Sequence, residues 1–459
     1  MPAPQWANSS GDPIVCDRHP DEKKGSMDVR KSSNPLTSLA PLALFAVIAS
    51  ASADDSLVDA LTGGTLDIFL RYRFEFVDDG APAIKNAYAS TLRTALGYHS
   101  GTFHAFSAYV QFEDVHVIGQ ELYNNGGENG VTDRATVVDP QGTEINQAFL
   151  RFGGLAKTVL TLGRQDIAHR EAPLHRFVGN VLFRQNWQSF DALRLINLSL
   201  PQTTIEYAYV WNVNRIFGED NPLPDASDFP MRSHFLNVQY GGFSLAKIEA
   251  YGYLLDFNSA RAERFSTATL GLRMQGDDRL TPSTKLLFAA EFANQRDYGG
   301  NPNAINVNYF AGELGINYSL GGLIESASAK LSYEILAGKG GLQAFQTPLG
   351  TNHAFQGAAD RFLVTPGDGV RDIFATLGMK ALGAQWSVAY HRFSSDLDHY
   401  RYGDEWDFSV ERPIAQQFLV GLQYAAYRAN RNGLNVARNS ASQQAFDLTK
   451  AWAYIQFKY

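Results

Sequence analysis

The 459-residue chain has few of the features on which enzymes and helical membrane proteins commonly depend. Its single cysteine, Cys16, excludes a disulfide within the chain. Beyond the N-terminal region, no run reaches the ~18 apolar residues that a membrane-spanning helix requires. The net charge of −8 argues against a nucleic-acid partner. Neither an H-E-x-x-H sequence nor a glycine-rich phosphate loop occurs, so we assign no metal, no cofactor and no enzymatic activity.

The chain is rich in aromatic residues and glycine, with 21 Tyr, 30 Phe and 40 Gly, and its dominant period is two. In residues 65–77 one face is apolar, including Tyr72 and Phe74, while the other carries Arg71, Arg73 and Glu75. This alternation is typical of a transmembrane strand with one face toward lipid and the other toward a wet interior. We place similar segments at residues 65–77, 88–98, 103–118, 144–152, 157–165, 190–199, 203–212, 234–241, 244–255, 266–275, 284–294, 306–318, 327–337, 371–381, 385–393, 405–411, 416–427 and 446–459.

The links between these segments alternate in length. Short links lie at 99–101, 153–155, 201–202, 241–243, 320–323 and 382–384, and long links at 119–143, 166–189, 213–233, 295–305, 336–370 and 428–445. Short periplasmic turns and long external loops are expected of outer-membrane barrels. The sequence therefore predicts an all-β fold: a single transmembrane antiparallel up-and-down β-barrel of about eighteen strands.

Both ends of the sequence support export to an outer membrane. Residues 36–53 form an apolar core that ends at Ala51-Ser52-Ala53, the small-x-small pattern of a cleaved signal peptide. We take residues 1–26 as an extension upstream of the true start at Met27, residues 27–53 as the signal peptide and residues 54–459 as the barrel. The last strand ends on Tyr459, which we expect the barrel-insertion machinery to recognise. The expected location is the outer membrane of a Gram-negative bacterium, in contact with its lipid.

Strand alternation also predicts which charges face the lumen. The inward cations are Arg71, Arg73, Arg93, Arg151, Arg194, Lys247, Arg273, Lys285, Lys330 and Lys380, and the inward carboxylates are Asp67, Glu75, Glu206, Glu249, Glu291, Glu313 and Glu334. Two interpretations stay open at this point. The arginines form a ladder that hands an anion along the pore, since a guanidinium pairs with carboxylates bidentately, or they pair with inward carboxylates and stiffen the barrel.

The loops offer weaker candidates. The acidic segment 394–407 lacks a regular ligand spacing, so we favour a solvated loop over a divalent-cation site. His169 and His175 have no metal-like partners in the sequence. Alternation turns Arg164 toward lipid unless the strand ends there, which makes it a candidate gate or loop anchor.

Two blocks resemble the bacterial alginate export family. The first, residues 162–195, contains Gly163-Arg164-Gln165, Arg176-Phe177-Val178-Gly179, Phe183-Arg184-Gln185 and Phe190-Asp191-Ala192; the second comprises residues 345–378, followed by 389–396 and 402–407. The resemblance implies a monomeric barrel of eighteen strands, with an arginine-lined lumen that passes a polyuronate outward and loops that gate the mouth. The basic elements of the family are matched by position at Arg164, Arg176, Arg184 and Arg194.

We therefore expect a passive channel for an anionic polysaccharide or oligosaccharide. The alternatives are a substrate-selective uptake porin for small organic anions, an outer-membrane enzyme, and a structural barrel. The segment 336–370 is expected to fold inward as a constriction. The candidate pore-lining and substrate-binding residues are Arg71, Arg73, Arg93, Arg151, Arg164, Arg176, Arg184, Arg194 and Arg273.

Overall fold

The computed structural model describes residues 56–223 and 225–459, so the predicted signal peptide and the extension before it lie outside the described residues. Eighteen long strands and one two-residue strand, β14, make up a single antiparallel sheet. The strands are β1 (Thr65–Asp79), β2 (Ala87–His99), β3 (Phe106–Val117), β4 (Gly142–Leu155), β5 (Thr158–Gln165), β6 (Ser189–Asn197), β7 (Thr203–Asn214), β8 (Asp228–Tyr240), β9 (Lys247–Leu255), β10 (Thr267–Arg279), β11 (Thr284–Asp297), β12 (Asn306–Gly321), β13 (Ile324–Lys339), β14 (Gln343–Ala344), β15 (Gly369–Ala381), β16 (Ala384–Ser394), β17 (Arg401–Pro413), β18 (Phe418–Ala429) and β19 (Leu448–Lys458).

The sheet closes on itself. Each long strand pairs with its neighbours in the chain, and β1 pairs with β19 from Phe69↔Lys458 to Asp79↔Leu448. Closure leaves no unpaired strand edge, which is the condition for a sheet to cross a bilayer. The predicted all-β barrel of eighteen strands is confirmed, as is the pairing of the last strand with the first.

Side chains alternate between the two faces of the wall, as the period of two predicts. On β1, Leu66, Tyr72 and Phe74 are exposed on the outside, whereas Arg71 and Arg73 are buried on the inside. A wall that is apolar outside and charged inside is the reverse of a water-soluble barrel. The outward side chains thus form the apolar band of a membrane-spanning barrel.

The alternation of link lengths is also confirmed. Two-residue turns at 156–157, 322–323 and 382–383 lie at one end of the barrel, and the links 118–141, 166–188, 340–368 and 430–447 lie at the other. In the turn after β15, Leu382 and Gly383 have φ of 57° and 70°. Positive φ at both central residues is the type I′ hairpin geometry that matches the twist of paired strands.

Several element boundaries differ from the sequence prediction. β8 begins at Asp228 rather than residue 234, and β17 begins at Arg401 rather than residue 405. These strand ends extend beyond the lipid-facing band, where outward positions carry polar residues such as Arg232 and Asp404 and the apolar alternation is lost. Two short α-helices were not predicted: α1 (Leu57–Thr62) precedes the barrel, and α2 (Gly433–Asn439) lies in the last loop. No helix in the described part of the chain has the length and apolarity needed to cross a membrane.

Candidate functional site in the barrel lumen

Two external loops turn into the barrel instead of extending into solvent. We call them loop A (residues 166–188) and loop B (residues 340–368). Phe177 of loop A and Phe345 of loop B are buried in one apolar cluster with the inward side chains Tyr251 and Tyr309. Burying these rings is favourable because exposed aromatic surface is costly in water. The predicted inward folding of segment 336–370 is confirmed, and loop A joins it.

One end of loop A is fixed to β1 and β2. The Arg71 guanidinium donates to the Leu182 carbonyl at 2.8 Å and to Gln185 Oε1 at 2.9 Å. The Gln185 amide in turn donates to Thr91 Oγ1 at 2.9 Å. Arg73 likewise donates to a loop A carbonyl, that of Phe183. These arginines satisfy backbone carbonyls that would otherwise be buried without a partner.

The other end of loop A crosses the lumen to β9–β11. Arg170 donates to Glu249 at 2.9 Å and to Glu291 at 2.6 Å. Glu291 also accepts from Arg273 at 2.9 Å and from Tyr251 Oη at 2.7 Å. One wall carboxylate therefore binds a guanidinium from the loop and another from the wall. This network holds loop A across the barrel.

The two loops contact each other at the middle of the lumen. The Phe177 ring centroid lies 5.4 Å from that of Tyr309 and 6.0 Å from that of Phe345. Arg176 of loop A donates to Gln356 of loop B at 3.1 Å and lies 2.9 Å from Glu334 of the wall. The loops consequently form one constriction and not two independent flaps.

Loop B is attached to the wall on the side of β17–β19 and β1. Arg361 donates to both oxygens of Asp79, at 2.9 and 3.1 Å. Lys450 donates to Asp360 at 2.7 Å, and the Ala359 amide donates to Glu405 at 2.6 Å. These contacts join residues far apart in the sequence, so they fix the loop only in the closed barrel.

The loop charges are held in defined protonation states. Burial alone would raise the pKa of the Asp360 carboxyl, but the neighbouring His353 and Lys450 outweigh it and hold that pKa well below its usual range. Arg73 and Arg184 similarly outweigh burial at Asp139 and lower its pKa. Burial lowers the pKa of His175 to about 4, so its ring is neutral at neutral pH. Asp360 and Asp139 are thus ionised at neutral pH, whereas His175 is neutral.

Below the loops, two guanidiniums share one cross-strand row of the lumen wall. The strand register aligns Arg151 with Thr161 and Thr161 with Arg194, and both arginines are half-buried. Strands lie ~4.8 Å apart, which puts the two arginine backbones ~10 Å from each other across the threonine. Arg194 is held by Glu206, which accepts from it at 2.8 and 2.9 Å. Arg194 also donates to the Asp166 carbonyl at 3.2 Å, so the row places two guanidiniums on the lumen wall beside the start of loop A.

The nine arginine candidates fall into four groups. Buried wall residues that bind loop A or the carboxylates near it are Arg71, Arg73 and Arg93; half-buried wall residues are Arg151, Arg194 and Arg273; buried loop A residues are Arg176 and Arg184; Arg164 stands apart. Arg164 shares the outward face of β5 with exposed Leu162 and pairs with Asp191 and Glu219 at 3.0 Å. The structure therefore does not bring Arg164 into the lumen wall, because side chains alternate along β5 to its end.

Sequence reasoning did not select several residues of the constriction. Arg170 and Gln185 of loop A were missed, because a loop residue shows no periodicity from which its direction can be read. The inward carboxylates Glu249 and Glu291 could have indicated that a loop supplies a cation, since buried carboxylates require one. Among the described residues, no group of His, Cys, Asp and Glu is arranged to hold a metal ion.

No protein-family model and no curated protein matches this chain. Solved structures do match its fold. Acinetobacter baumannii OccAB2 is 12% identical with a TM-score of 0.64, covering 87% of this chain and 99% of that one. Pseudomonas aeruginosa OccK9 (OpdG) is 13% identical with a TM-score of 0.63, covering 87% and 100%. The outer membrane protein opdK from Pseudomonas aeruginosa is 14% identical with a TM-score of 0.57, covering 86% and 99%. The chain therefore shares the complete barrel fold of these proteins.

Proposed function

We propose that this chain is an outer-membrane channel that admits small organic anions by diffusion. The observation that carries the proposal is the Arg151–Thr161–Arg194 row beneath a constriction made by two inward loops. The constriction limits the size of the solute, and the guanidiniums favour a carboxylate or phosphate over a cation. The shared fold with an outer membrane protein supports the location.

The same geometry argues against a polymer as the solute. Loops A and B are tied to the wall by buried ion pairs such as Arg361–Asp79 and Arg170–Glu291. Removing one partner of a buried pair costs about 3–5 kcal/mol, so displacing both loops to admit a polysaccharide chain would be expensive. The matched structures give no support for polysaccharide passage. Alginate export is thus the weaker of the two channel functions.

Bilayer recordings of the purified barrel test the proposal. In a salt gradient the reversal potential should show preference for chloride over potassium, and small carboxylates should reduce the single-channel current. Replacing both Arg151 and Arg194 with Gln should reduce that preference about fivefold, because each of the two charges at ~8 Å in water contributes ~0.5 kcal/mol. Arg412→Gln is the matched control, since Arg412 is exposed at the periplasmic end of β17 and faces outward instead of into the lumen.

The outcomes separate the candidate functions. Cation selectivity of the unmodified barrel would overturn the proposal. Block by oligouronates but not by small carboxylates would favour the polysaccharide channel. An absence of current from a correctly folded barrel would favour an enzymatic or structural role. That the protein is a monomer, and that it is not an enzyme, stay predictions.

A further inference from the structure

A row of charged residues lies on the outward face of the wall at the external ends of β16–β18. The strand register aligns Arg392 with Asp404 and Asp404 with Arg428. Both arginines are exposed. Strands are ~4.8 Å apart, so the two arginine backbones flank the aspartate within ~10 Å of each other. Two guanidiniums thus project from the barrel toward its surroundings instead of into the lumen.

Their charge is not neutralised by the protein. Asp404 already accepts from Tyr390 Oη at 3.0 Å and from the Arg401 guanidinium. Arg428 donates only to neutral oxygens, Thr449 Oγ1 at 3.1 Å and the Tyr427 carbonyl at 3.4 Å. In the described part of the chain, neither Arg392 nor Arg428 has a carboxylate within ion-pair distance.

Three other outward arginines near the external rim have a carboxylate partner: Arg164 pairs with Asp191, Arg232 with Asp256 and Arg371 with Asp396. Arg296 of β11 has none and donates to Asn294 Oδ1 at 2.9 Å, but it does not share a cross-strand row with a second such arginine. Arg392 and Arg428 share one row, so an external anion is the partner that this pair lacks.

The depth of the row is set by the aromatic residues beside it. Two residues further toward the periplasm, the rings of Tyr390 and Trp406 lie 4.8 Å apart, and 56% of Trp406 is exposed. Exposed Tyr and Trp mark the membrane–water interface of a barrel. A step of two residues along a strand is ~6.6 Å. The guanidiniums accordingly stand on the water side of the interface, at the level of lipid headgroups.

A shallow depression of about 650 Å³, largely open to its surroundings, lies at the same rim. Its lining is Tyr400, Arg401, Asn430, Asn432, Gly433 and Leu434. Asn432 donates to the Arg401 carbonyl at 2.7 Å, which joins the last loop to β17. Amide and guanidinium groups beside an aromatic ring suit sugar hydroxyls.

We propose that Arg392, Arg428 and this depression bind the phosphorylated sugar headgroup of an outer-leaflet glycolipid. Guanidiniums pair bidentately with phosphate oxygens, and the acyl chains lie against Trp406 and the exposed Tyr424. The proposal rests on the proposed outer-membrane location and not on the solute that crosses the lumen.

Native mass spectrometry of the detergent-solubilised barrel tests the lipid site. The probe is a bisphosphorylated acylated glucosamine disaccharide, compared with its dephosphorylated form and with phosphatidylglycerol. We expect the bisphosphorylated lipid to bind at least tenfold more tightly than either comparison lipid. The Arg392→Gln/Arg428→Gln double variant should lose this tenfold preference in affinity, and the Arg412→Gln variant should keep it.

Equal binding of the three lipids, or unchanged affinity in the double variant, would overturn the lipid site. Both substitutions are at exposed positions, and bilayer conductance of the double variant shows that the barrel is folded. Conductance also separates the two proposals. If the barrel conducts but does not prefer the phosphorylated lipid, only the lipid site is contradicted. If it binds the lipid but shows no anion preference, only the proposed channel function is contradicted.

Discussion

The guanidinium of Arg93 lies 3.7 Å from the ring centroid of Trp187, so a wall residue of β2 stacks on a residue of loop A. Arg93 also forms a buried ion pair with Glu113 of β3 and donates to the Gln185 carbonyl. A single inward arginine thus connects two strands and the loop. Its burial explains why a residue predicted to line the pore is instead covered by the constriction.

Replacing Arg93 with Met should loosen loop A. The change removes the contact with Trp187, which is worth about 2 kcal/mol when desolvated. It also leaves Glu113 buried without a cation, a loss of about 3–5 kcal/mol. We expect frequent fluctuations of the single-channel current and a lower urea midpoint of unfolding.

The double variant Arg93→Met/Glu113→Gln provides the control. Neutralising Glu113 should recover part of the unfolding free energy, because the unpaired buried charge is gone, while the current stays noisy, because the Trp187 contact is still missing. If the single and double variants have equal stability, the ion pair is not the source of the effect.

Gly163 of the Gly163-Arg164-Gln165 element lies where the neighbouring strand leaves no room for a Cβ. Its φ is 125°, and a Cβ there would lie 2.3 Å from the Ala148 carbonyl oxygen of the neighbouring strand. Gly163→Ala should therefore lower the free energy of unfolding by about 1–3 kcal/mol.

Gly383→Ala is the matched comparison for Gly163. It also has positive φ, at 70°, but a Cβ there would meet no atom within 4 Å. We expect it to cost only the ~1 kcal/mol of the backbone conformation. Urea unfolding of both variants in the same detergent gives the difference, and equal losses would contradict a steric role for Gly163.

These residues also show what the sequence could and could not predict. The eighteen strands follow from a local period of two, so residues such as Arg71 and Arg93 were correctly assigned to the inward face. The contacts of those arginines with loop A were not predictable, because they join residues more than 90 positions apart in the chain. Arg361 and Asp79 are 282 positions apart and meet only in the closed barrel.

The attachment of loop A should depend on pH through His175. Burial lowers its pKa to about 4, whereas a released loop would titrate near ~6.5. Between about pH 6.5 and pH 4, His175 therefore binds a proton in the released loop but not in the docked loop. The attachment of loop A weakens as pH falls through this range. The total change is at most ~3 kcal/mol. Hydrogen-exchange protection factors of loop A at pH 7 and pH 5 measure it.

His175→Asn is the control for that pH dependence, because asparagine does not titrate in this range. Its loop A should be protected to a similar extent at pH 7 and pH 5. An equal loss of protection in the variant and the unmodified protein would assign the effect to other groups, such as the carboxylates that bind Arg170.

Loop B is expected to limit the current through the barrel. Replacing residues 341–367 with a short Gly-Ser linker preserves the paired ends of β13 and β15, where Ala337 aligns with Gly369. A barrel of eighteen strands without inward loops has an interior wide enough for an aqueous channel, so single-channel conductance should rise at least about twofold. Arg361→Gln, which releases only the Asp79 contact, should give an intermediate rise with more frequent closures. The barrel with the deletion should still resist unfolding in SDS. If its conductance is unchanged, loop B contributes no barrier of its own and loop A alone forms the constriction.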